Sequence, residues 1–405
     1  MLNNCGNPHQ KMNFVHITGT NGKGSTAAYV SSILMNSRHK VGLYTSPHLY
    51  DFRERIKING QKIKKSKVCS ILSRIKAIID KMKTAPSYFE VMTVMAILYF
   101  SSEHCDICIM EVGLGGRLDS TNVIYGKVCA ITGIDIDHTE YLGATKEEIA
   151  KEKTAIAKAG SVLVVNTPDN ALFKYIEKLA YSQKAASVIR VGDAVKGAII
   201  SSKTDGVSFS VTSASLRNCR LKTPLVGDYQ FVNAMTALAI IEALKKLGLT
   251  KAWPEAVKKG FQETYWPGRF EIFGRKQQLI MDGAHNLQGM VNFVKNLKQL
   301  FNGRRIRTII GILQNKDYQK MLEVVAAVSD ELILTGLRIQ KKEIDTAYML
   351  EAASKFHKNI KVFGSVTESL NYAKETIQPN DVVCVTGSLY LVGEARSFVM
   401  PPERD

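Results

Sequence analysis

Residues 13–26 read NFVHITGTNGKGST. A short run of β-branched and aromatic residues leads into two close glycines, a lysine and a hydroxyl, and the helical pattern STAAYVSSILMNS follows. This order predicts a strand, a tight turn and a helix. Backbone N–H groups at a helix start bind anions, and glycines let a phosphate approach closely. The stretch therefore predicts a nucleotide-binding loop in which Lys23 reaches the terminal phosphates.

The spacing of this loop departs from the usual GxxxxGK[ST] pattern, because Gly24 separates Lys23 from Ser25. A glycine-rich turn that arises by chance is the alternative interpretation. The strand before the turn and the helix after it favour the nucleotide site.

The composition is that of a globular protein with two domains. The chain has 405 residues, 45% of them hydrophobic and 22% charged, which is long for a single core. The longest apolar run, VMTVMAILYF, is too short to span a bilayer, and the first residues do not resemble a secretion signal. Seven scattered cysteines favour reduced thiols in a cytoplasm. The pair Cys105 and Cys108 is interpreted as core packing, with redox or metal chemistry as the alternative.

The formal net charge of +17 indicates anionic partners. Basic residues are dense from Arg53 to Lys83, but the segment from Lys67 carries the apolar stripe of an amphipathic helix. The interleaving of aromatic and basic residues that stacks bases is absent from the sequence. We therefore expect small polyanionic substrates, and neither nucleic acid nor a membrane as a partner.

Strand and helix patterns alternate along most of the chain. Continuous apolar runs such as DICIMEV and SVLVVN are typical of parallel strands covered on both faces, so we predict a doubly wound, mostly parallel α/β sheet. Residues 197–221 alternate with period two and predict a small antiparallel patch. The stretch YWPGRFE at 265–271 interrupts the pattern, and a second α/β series follows. The predicted domains are residues 1–270 and a smaller, Rossmann-like domain over 271–405.

Polar residues follow three of the predicted parallel strands. Ser46, Glu111 and His138 each come at a strand end, which is where such folds bind ligands. A hydroxyl, a carboxylate and an imidazole are able to bind a divalent metal near the phosphates. A lone histidine is more often a structural residue, so the prediction depends on the three occurring at successive strand ends.

Several motifs together resemble one family. They are HITGTNGKGST, LYTSPHL, EVGLGGRLDSTN, IAKEKTAIAK, WPGRFE, DGAHN and TGSLYL. In this order they resemble folylpolyglutamate synthase and dihydrofolate synthase, of the ATP-dependent amide-ligase superfamily that includes the Mur ligases. The shortened phosphate loop is the form that this family uses. The resemblance implies an ATP-binding Mur-ligase-like domain over 1–270 and a glutamate-ligase domain over 271–405.

The resemblance also implies a reaction. A carboxylate of dihydropteroate or of a folate attacks the γ-phosphate of ATP, and the amine of L-glutamate then displaces phosphate from the acyl phosphate. ATP and two Mg²⁺ ions are the implied cofactors, in a monomer whose cleft closes at a hinge near Pro267–Gly268. Another Mur-type ligase and a non-catalytic nucleotide-binding module are the alternatives.

The family pattern assigns roles to individual residues. The implied ATP contacts are Asn21, Gly22, Lys23, Gly24, Ser25, Asn233, Arg269 and Asp282. The implied metal ligands are Ser46 and Glu111 for one ion and His138 for a second. His285 and Ser388 are implied in the active cleft near glutamate, and the implied catalytic residues are Lys23, Lys153 and His285.

Two of the implied residues have plain alternatives. Lys153 matches a lysine that is carbamylated in this family and then binds metal, although Thr154 and Ala155 replace the usual Ala and Gly. Its alternative is an unmodified cation on a helix face. Arg55 matches a substrate-binding arginine, and its alternative is a surface arginine on a hairpin.

The family usually carries a helical segment before the first strand, whereas this sequence begins only a short way ahead of it. We expect either a start further upstream or a protein that lacks the segment. A Mur ligase would have a whole domain before the phosphate loop, and a non-catalytic module would be expected to lose Glu111, His138 or Lys153. All three residues are present.

Overall fold

The computed structural model describes residues 1–274, 278–314, 316–337 and 345–400. The strands in these ranges are β1 Phe14–Thr18, β2 Val41–Tyr44, β3 Ile56–Ile58, β4 Gln61–Lys62, β5 Ile107–Glu111, β6 Gly126–Ile131, β7 Val162–Val165, β8 Ser187–Arg190, β9 Lys196–Lys203, β10 Gly206–Thr212, β11 Cys219–Thr223, β12 Glu271–Phe273, β13 Gln278–Met281, β14 Arg305–Ile310, β15 Glu331–Thr335, β16 Ile360–Phe363 and β17 Asp381–Thr386. The helices are α1 Lys23–Asn36, α2 Lys65–Ile79, α3 Tyr88–Ser102, α4 Thr139–Leu142, α5 Lys146–Thr154, α6 Asn170–Ser182, α7 Val191–Ala194, α8 Tyr229–Lys246, α9 Pro254–Gln262, α10 Leu287–Leu300, α11 Tyr318–Ala326, α12 Thr346–Ala353, α13 Val366–Thr376 and α14 Leu389–Val399.

The first sheet has the strand order β4-β3-β2-β5-β1-β6-β7-β8. All neighbours from β2 to β8 are parallel, and β3 and β4 add an antiparallel edge. Val15 and Ile17 of β1 pack with α1 and α8, whereas Phe14 packs on the other face with α3. Helices on both faces explain why these strands are continuously apolar. The predicted doubly wound sheet is confirmed.

A separate three-stranded antiparallel sheet has the order β11-β10-β9, as the period-two pattern predicts. Phe209 of β10 meets Phe261 of α9 edge to face, with ring centroids 5.6 Å apart. This small sheet therefore shares the core of the first sheet rather than standing alone.

The third sheet has the order β12-β13-β17-β14-β15-β16, parallel except for the β12–β13 pair. It confirms the second α/β unit, and the proposed boundary after residue 270 falls directly before β12. The apolar runs of the sequence do not predict strands β8 and β12. Both are only partly buried, so neither has the continuous apolar run that indicates a covered strand.

The cysteine pair and the apolar helix have the packing that the sequence predicts. Cys108 is buried on β5, Cys105 packs against the same cluster, and both are free thiols. The run VMTVMAILYF lies inside α3, which is largely buried. Among the helices of the described residues, none has the length and apolarity needed to cross a bilayer.

The third sheet contains a buried cation. The side chain of Arg307 is 1% exposed, and its Nε donates to Glu331 Oε2 over 2.6 Å. Its Nη2 donates to Thr376 Oγ1 over 2.7 Å, and its Nη1 lies 3.7 Å from Asp381 Oδ2. Tyr372 donates to the second oxygen of Glu331. These partners compensate the desolvation of the guanidinium.

Arg307→Met is expected to lower the free energy of unfolding by about 3 kcal/mol or more, because it leaves the buried carboxylate of Glu331 without its cation and removes one of the two arginines beside Asp381. Arg305→Met is the matched control, since Arg305 lies two residues away, is 43% exposed and also contacts Asp381. Its expected cost is below about 1 kcal/mol. Urea unfolding followed by circular dichroism measures both, and equal losses would contradict the buried network.

Candidate active site

The glycine turn joins β1 to α1. Gly22 is the N-cap of α1 and Lys23 is its first residue. The Lys23 ammonium donates to the carbonyls of Gly19 over 2.8 Å and Thr20 over 3.2 Å, so the side chain folds back over the loop. Burial lowers the pKa of Lys23, and the nearby carboxylate of Glu111 opposes this effect. The loop thus presents a partly buried cation and a helix N-terminus at one place.

The three strand-end residues lie around this loop. Ser46 follows β2, Glu111 ends β5 and His138 follows β6, and these strands neighbour one another or β1 in the sheet. Glu111 Oε2 accepts the Ser46 N–H over 3.0 Å. Burial raises the pKa of Glu111 and lowers that of His138. All three residues line one cavity of about 780 Å³.

This cavity contains most of the residues that the sequence predicts for the site. Those that line it are Asn21, Gly22, Lys23, Gly24, Ser25, Ser46, Glu111, His138, Lys153, Asn233, Arg269, Asp282, His285 and Ser388. Arg55 lies outside the lining. A single cleft therefore collects polar groups from both domains.

Lys153 is in the last turn of α5, and only 2% of it is exposed. Burial, with a smaller contribution from the charge of Lys23, lowers the pKa of Lys153 to about 7. Lys153 is therefore buried at this helix position, and its carbamylation, with the unmodified cation as the alternative, stays a prediction. At neutral pH a large fraction of this amine is uncharged and nucleophilic.

The second domain closes the other side of the cleft. Asp282 follows β13 and accepts the N–H groups of Phe270 and Ala284, each over 2.8 Å. His285 Nδ1 lies 2.8 Å from the Gly283 carbonyl, so Nδ1 carries the proton and Nε2 is an acceptor. Burial lowers the pKa of His285 to about 4. Ser388, the N-cap of α14, is 1% exposed.

Arg55 is buried at the end of a short 3-10 turn, with 7% of it exposed. Its Nε donates to His48 Nδ1 over 2.9 Å, and its guanidinium carbon lies 5.4 Å from the ring centroid of Tyr88. The surface-arginine alternative is wrong. Arg55 fixes the loop that follows Ser46, and direct contact with substrate stays a prediction.

Three residues that sequence analysis missed join the domains at this cleft. Lys316 Nζ lies 2.8 Å from Asp137 Oδ1 and 3.2 Å from His138 Nε2. Asn286 Nδ2 donates to Asp137 Oδ2 over 2.9 Å and to Asn21 Oδ1 over 3.1 Å. Asp137 and Asn286 stand beside predicted site residues in GIDIDH and DGAHN, which is the signal that was available. Lys316 has no such signal.

The residues predicted to bind metal do not form a complete coordination site by themselves. Across the described parts of the chain, no three His, Cys, Asp or Glu side chains form a group that could hold a metal ion. Ser46 and Glu111 contact each other, whereas His138 contacts Lys316 of the second domain. Metal binding by these residues therefore stays a prediction.

Comparison with protein families identifies the class of the fold. The Mur ligase middle domain matches residues 17–241, and the Mur ligase glutamate ligase domain matches residues 268–389. A phosphate loop on the first domain and a second α/β domain across the cleft are the arrangement of a Mur-type ligase.

Individual relatives identify the family within the class of Mur-type ligases. The dihydrofolate synthase/folylpolyglutamate synthase of Bacillus subtilis is 31% identical over 98% of this chain and 92% of its own length. The chain belongs to the dihydrofolate synthase/folylpolyglutamate synthase family. A probable bifunctional folylpolyglutamate synthase/dihydropteroate synthase of Haloferax volcanii is 31% identical over 98% of this chain and 47% of its own. The chain thus spans about half the length of that relative.

Solved structures of similar proteins contain ligands. Escherichia coli FolC in complex with DHPP and ADP has a TM-score of 0.86 and 30% identity over 96% of this chain and 88% of its own. A bifunctional folylpolyglutamate synthase/dihydrofolate synthase with Mn, AMPPNP and L-glutamate bound has a TM-score of 0.83 and 29% identity over 96% of this chain and 89% of its own.

Lys316→Met is expected to lower the melting temperature at pH 7 by on the order of 3 °C, because the partly buried carboxylate of Asp137 loses its cation. Burial alone would raise the pKa of Asp137, but hydrogen bonds from Lys316 and Asn286 and the Lys316 charge lower it to about 2. The stabilisation is complete above the ordinary value of 3.8 and is lost as the pH falls toward 2. The difference between wild type and variant should therefore shrink below pH 4.

Thermal unfolding at pH 7 and pH 3 measures this effect. The control is Lys320→Met. Lys320 lies four residues after Lys316, is exposed and pairs with the exposed Asp317, so its removal should leave the melting temperature unchanged. Equal destabilisation by the two variants at pH 7 would contradict the role of Lys316 at the domain junction.

Proposed function

We propose that the protein is an ATP-dependent ligase that joins L-glutamate to a folate, to dihydropteroate, or to both, and releases ADP and phosphate. The observation that carries this proposal is one cavity that contains a phosphate loop, a buried carboxylate and a lysine of depressed pKa opposite His285 and Ser388. The ligands of the similar structures, which are ADP, DHPP, AMPPNP and L-glutamate, support it.

The chain's own residues account for nucleotide binding in this proposal. The backbone N–H groups at the start of α1 and the Lys23 ammonium bind the phosphates. Asn233, Arg269 and Asp282 line the same cavity from α8 and the domain junction, and we assign the rest of the nucleotide to them. Lys23 also opposes the charge that develops on the transferred phosphoryl group.

The reaction then proceeds in two displacements. A carboxylate oxygen of the acid substrate attacks the γ-phosphorus, the bond to the ADP oxygen breaks, and an acyl phosphate results. The glutamate amine attacks the acyl carbon, phosphate leaves with the bonding electrons, and an amide remains. The attacking amine must lose a proton, and neutral His285, with Nε2 as an acceptor, is the group that we propose to receive it.

The donor set fits a hard divalent cation once substrate is present. Ser46 and Glu111 offer oxygen atoms and His138 offers a nitrogen, and the Mn complex of the similar structure supports a divalent metal. We propose two Mg²⁺ sites, Ser46 with Glu111 for one and His138 for the other. When bound, the ions neutralise phosphate charge.

We also propose that Lys153 carries a carbamate. Its neutral amine attacks the carbon of CO₂ and releases one proton, which converts a buried cation into an anion with two oxygen ligands. The depressed pKa of Lys153 supplies the neutral amine that this step requires. The change also removes the repulsion between Lys153 and Lys23.

The remaining features of the proposal concern partners and compartment. The free cysteines in the described part of the chain are consistent with a reducing cytoplasm. The positive net charge suits anionic substrates such as ATP and glutamylated folates. We propose a monomer.

Lys153→Ala is expected to reduce turnover on the order of 100-fold or more, because the cavity loses an anionic ligand. Added formate should restore part of the activity, since a small carboxylate fits the space that the side chain leaves. Lys151→Ala is the matched control, because Lys151 is exposed on the same helix, and it should retain wild-type turnover. Recovery with chloride equal to that with formate would contradict the carbamate.

Glutamate-dependent phosphate release tests the function itself, with ATP, Mg²⁺ and either dihydropteroate or tetrahydrofolate. Activity is expected with at least one acid substrate, and amide product should form in equal amount. Glu111→Ala is the negative control, and we expect it to abolish turnover. Absence of glutamate-dependent phosphate release with both substrates would reject the proposed function.

A further inference from the structure

Gly24 lies against an aromatic ring of the domain linker. It is the residue that separates Lys23 from Ser25 and makes the phosphate loop irregular. A Cβ added at Gly24 would lie 2.8 Å from Cζ2 of Trp266 and 3.1 Å from its Cε2 and Nε1. Carbon atoms do not approach so closely, so a side chain here would displace the indole. Glycine at this position permits the ring to cover the start of α1.

The indole is held from more than one side. Trp266 is partly buried and packs against the core that contains α1, α8 and α9. The Lys57 ammonium, from β3 next to the edge strand β4, lies 5.6 Å from the ring centroid, which is a cation–π distance. The ring therefore has a defined position against the first turn of α1, behind the residues that line the cavity.

The segment before Trp266 is anchored on the same helix. Ser32 of α1 donates to the Gly260 carbonyl over 2.7 Å, and Thr264 donates to that carbonyl over 2.7 Å as well. Helix α9 therefore runs beside α1 in close contact, and the linker leaves it near the phosphate loop.

The segment after Trp266 leads directly to second-domain residues of the site. The Gly268 carbonyl accepts the Gly283 N–H over 2.9 Å and the Arg269 Nη1–H over 3.2 Å. The N–H of Phe270, two residues after Gly268, donates to Asp282. Only Pro267 thus separates Trp266 from the hydrogen bonds that position Arg269 and Asp282.

We propose that Trp266 is a positioning residue that couples the phosphate loop to Arg269 and Asp282. The ligand that it serves is a nucleoside di- or triphosphate, and the inference rests on the proposed function only in requiring that this cavity binds a nucleotide. Phosphates at the start of α1 set the position of the indole, and the indole sets the position of the linker. Nucleotide binding then orients the second domain for the incoming amine.

Fluorescence tests this coupling directly, because the chain has two tryptophans. In Trp253→Phe, Trp266 is the single reporter, and its emission should change and saturate as ADP with Mg²⁺ is added. Trp266→Phe is the matched control. This variant retains Trp253 at the N-cap of α9, whose ring centroid lies 5.9 Å from Cζ of Arg38. The emission of Trp253 should stay constant as ADP is added.

A double-mutant cycle on ADP affinity tests the contact itself. Gly24→Ala should weaken ADP binding about tenfold in the wild-type background and less than about twofold in Trp266→Leu, because the indole that the methyl group displaces is then absent. Isothermal titration calorimetry measures the four affinities, and circular dichroism confirms that each variant is folded.

The outcomes separate the two proposals. ADP binding by calorimetry with constant Trp266 emission, or additive effects in the cycle, would overturn the coupling and leave the proposed function intact. Absence of ADP binding by the wild-type chain would reject the proposed function, and this inference with it. Saturable emission change together with a non-additive cycle supports the coupling.

Discussion

Basic and acidic side chains from both domains line the cavity, and the proposed chemistry depends on how burial shifts the pKa values of three of them. Burial lowers the pKa of Lys23 and of Lys153, and the charge of Lys23 contributes to the shift at Lys153. Glu111 is one of the carboxylates near Lys23, and burial raises its pKa. A polyanion bound beside Lys23 would compensate the two lysines, and the proposed carbamate on Lys153 would remove one of these cations. The site is therefore suited to an anionic ligand beside Lys23.

The order of strands explains how distant parts of the chain meet at this cavity. From β1 the chain passes through α1 to β2 on one side, and β6 later pairs with the other side of β1. The carboxyl ends of β1, β2, β5 and β6 then lie at one edge, where the reversal of direction opens a crevice. Glu111 lies at that edge because it ends β5, Ser46 comes two residues after β2, and His138 ends the loop that joins β6 to α4.

Sequence alone could predict those parts of the structure that local patterns determine. The phosphate loop and the strand-end residues fall within short motifs, and buried strands have continuous apolar runs. Strands β8 and β12 lack such runs and were missed. The burial of Lys153 and Arg55 was also left open, because their exposure depends on the neighbouring segments that cover them. Lys316 contacts Asp137 across 179 residues of chain, and this contact depends on how the two domains are arranged.

Contacts between the domains lie beside several parts of the proposed reaction. Lys316 contacts Asp137 and His138 at the predicted second metal site, and Asn286 contacts Asn21 of the phosphate loop. A further contact involves the loop after Ser46. Its Leu49 N–H donates to Glu54, and a Cβ on Gly393 of α14 would lie 2.0 Å from the Leu49 carbonyl, so only glycine allows this approach. The same helix begins at the buried Ser388 of the cleft. Helix α14 therefore links the loop after Ser46 to the second-domain side of the cleft, and the position of this loop depends on how the second domain packs against the first.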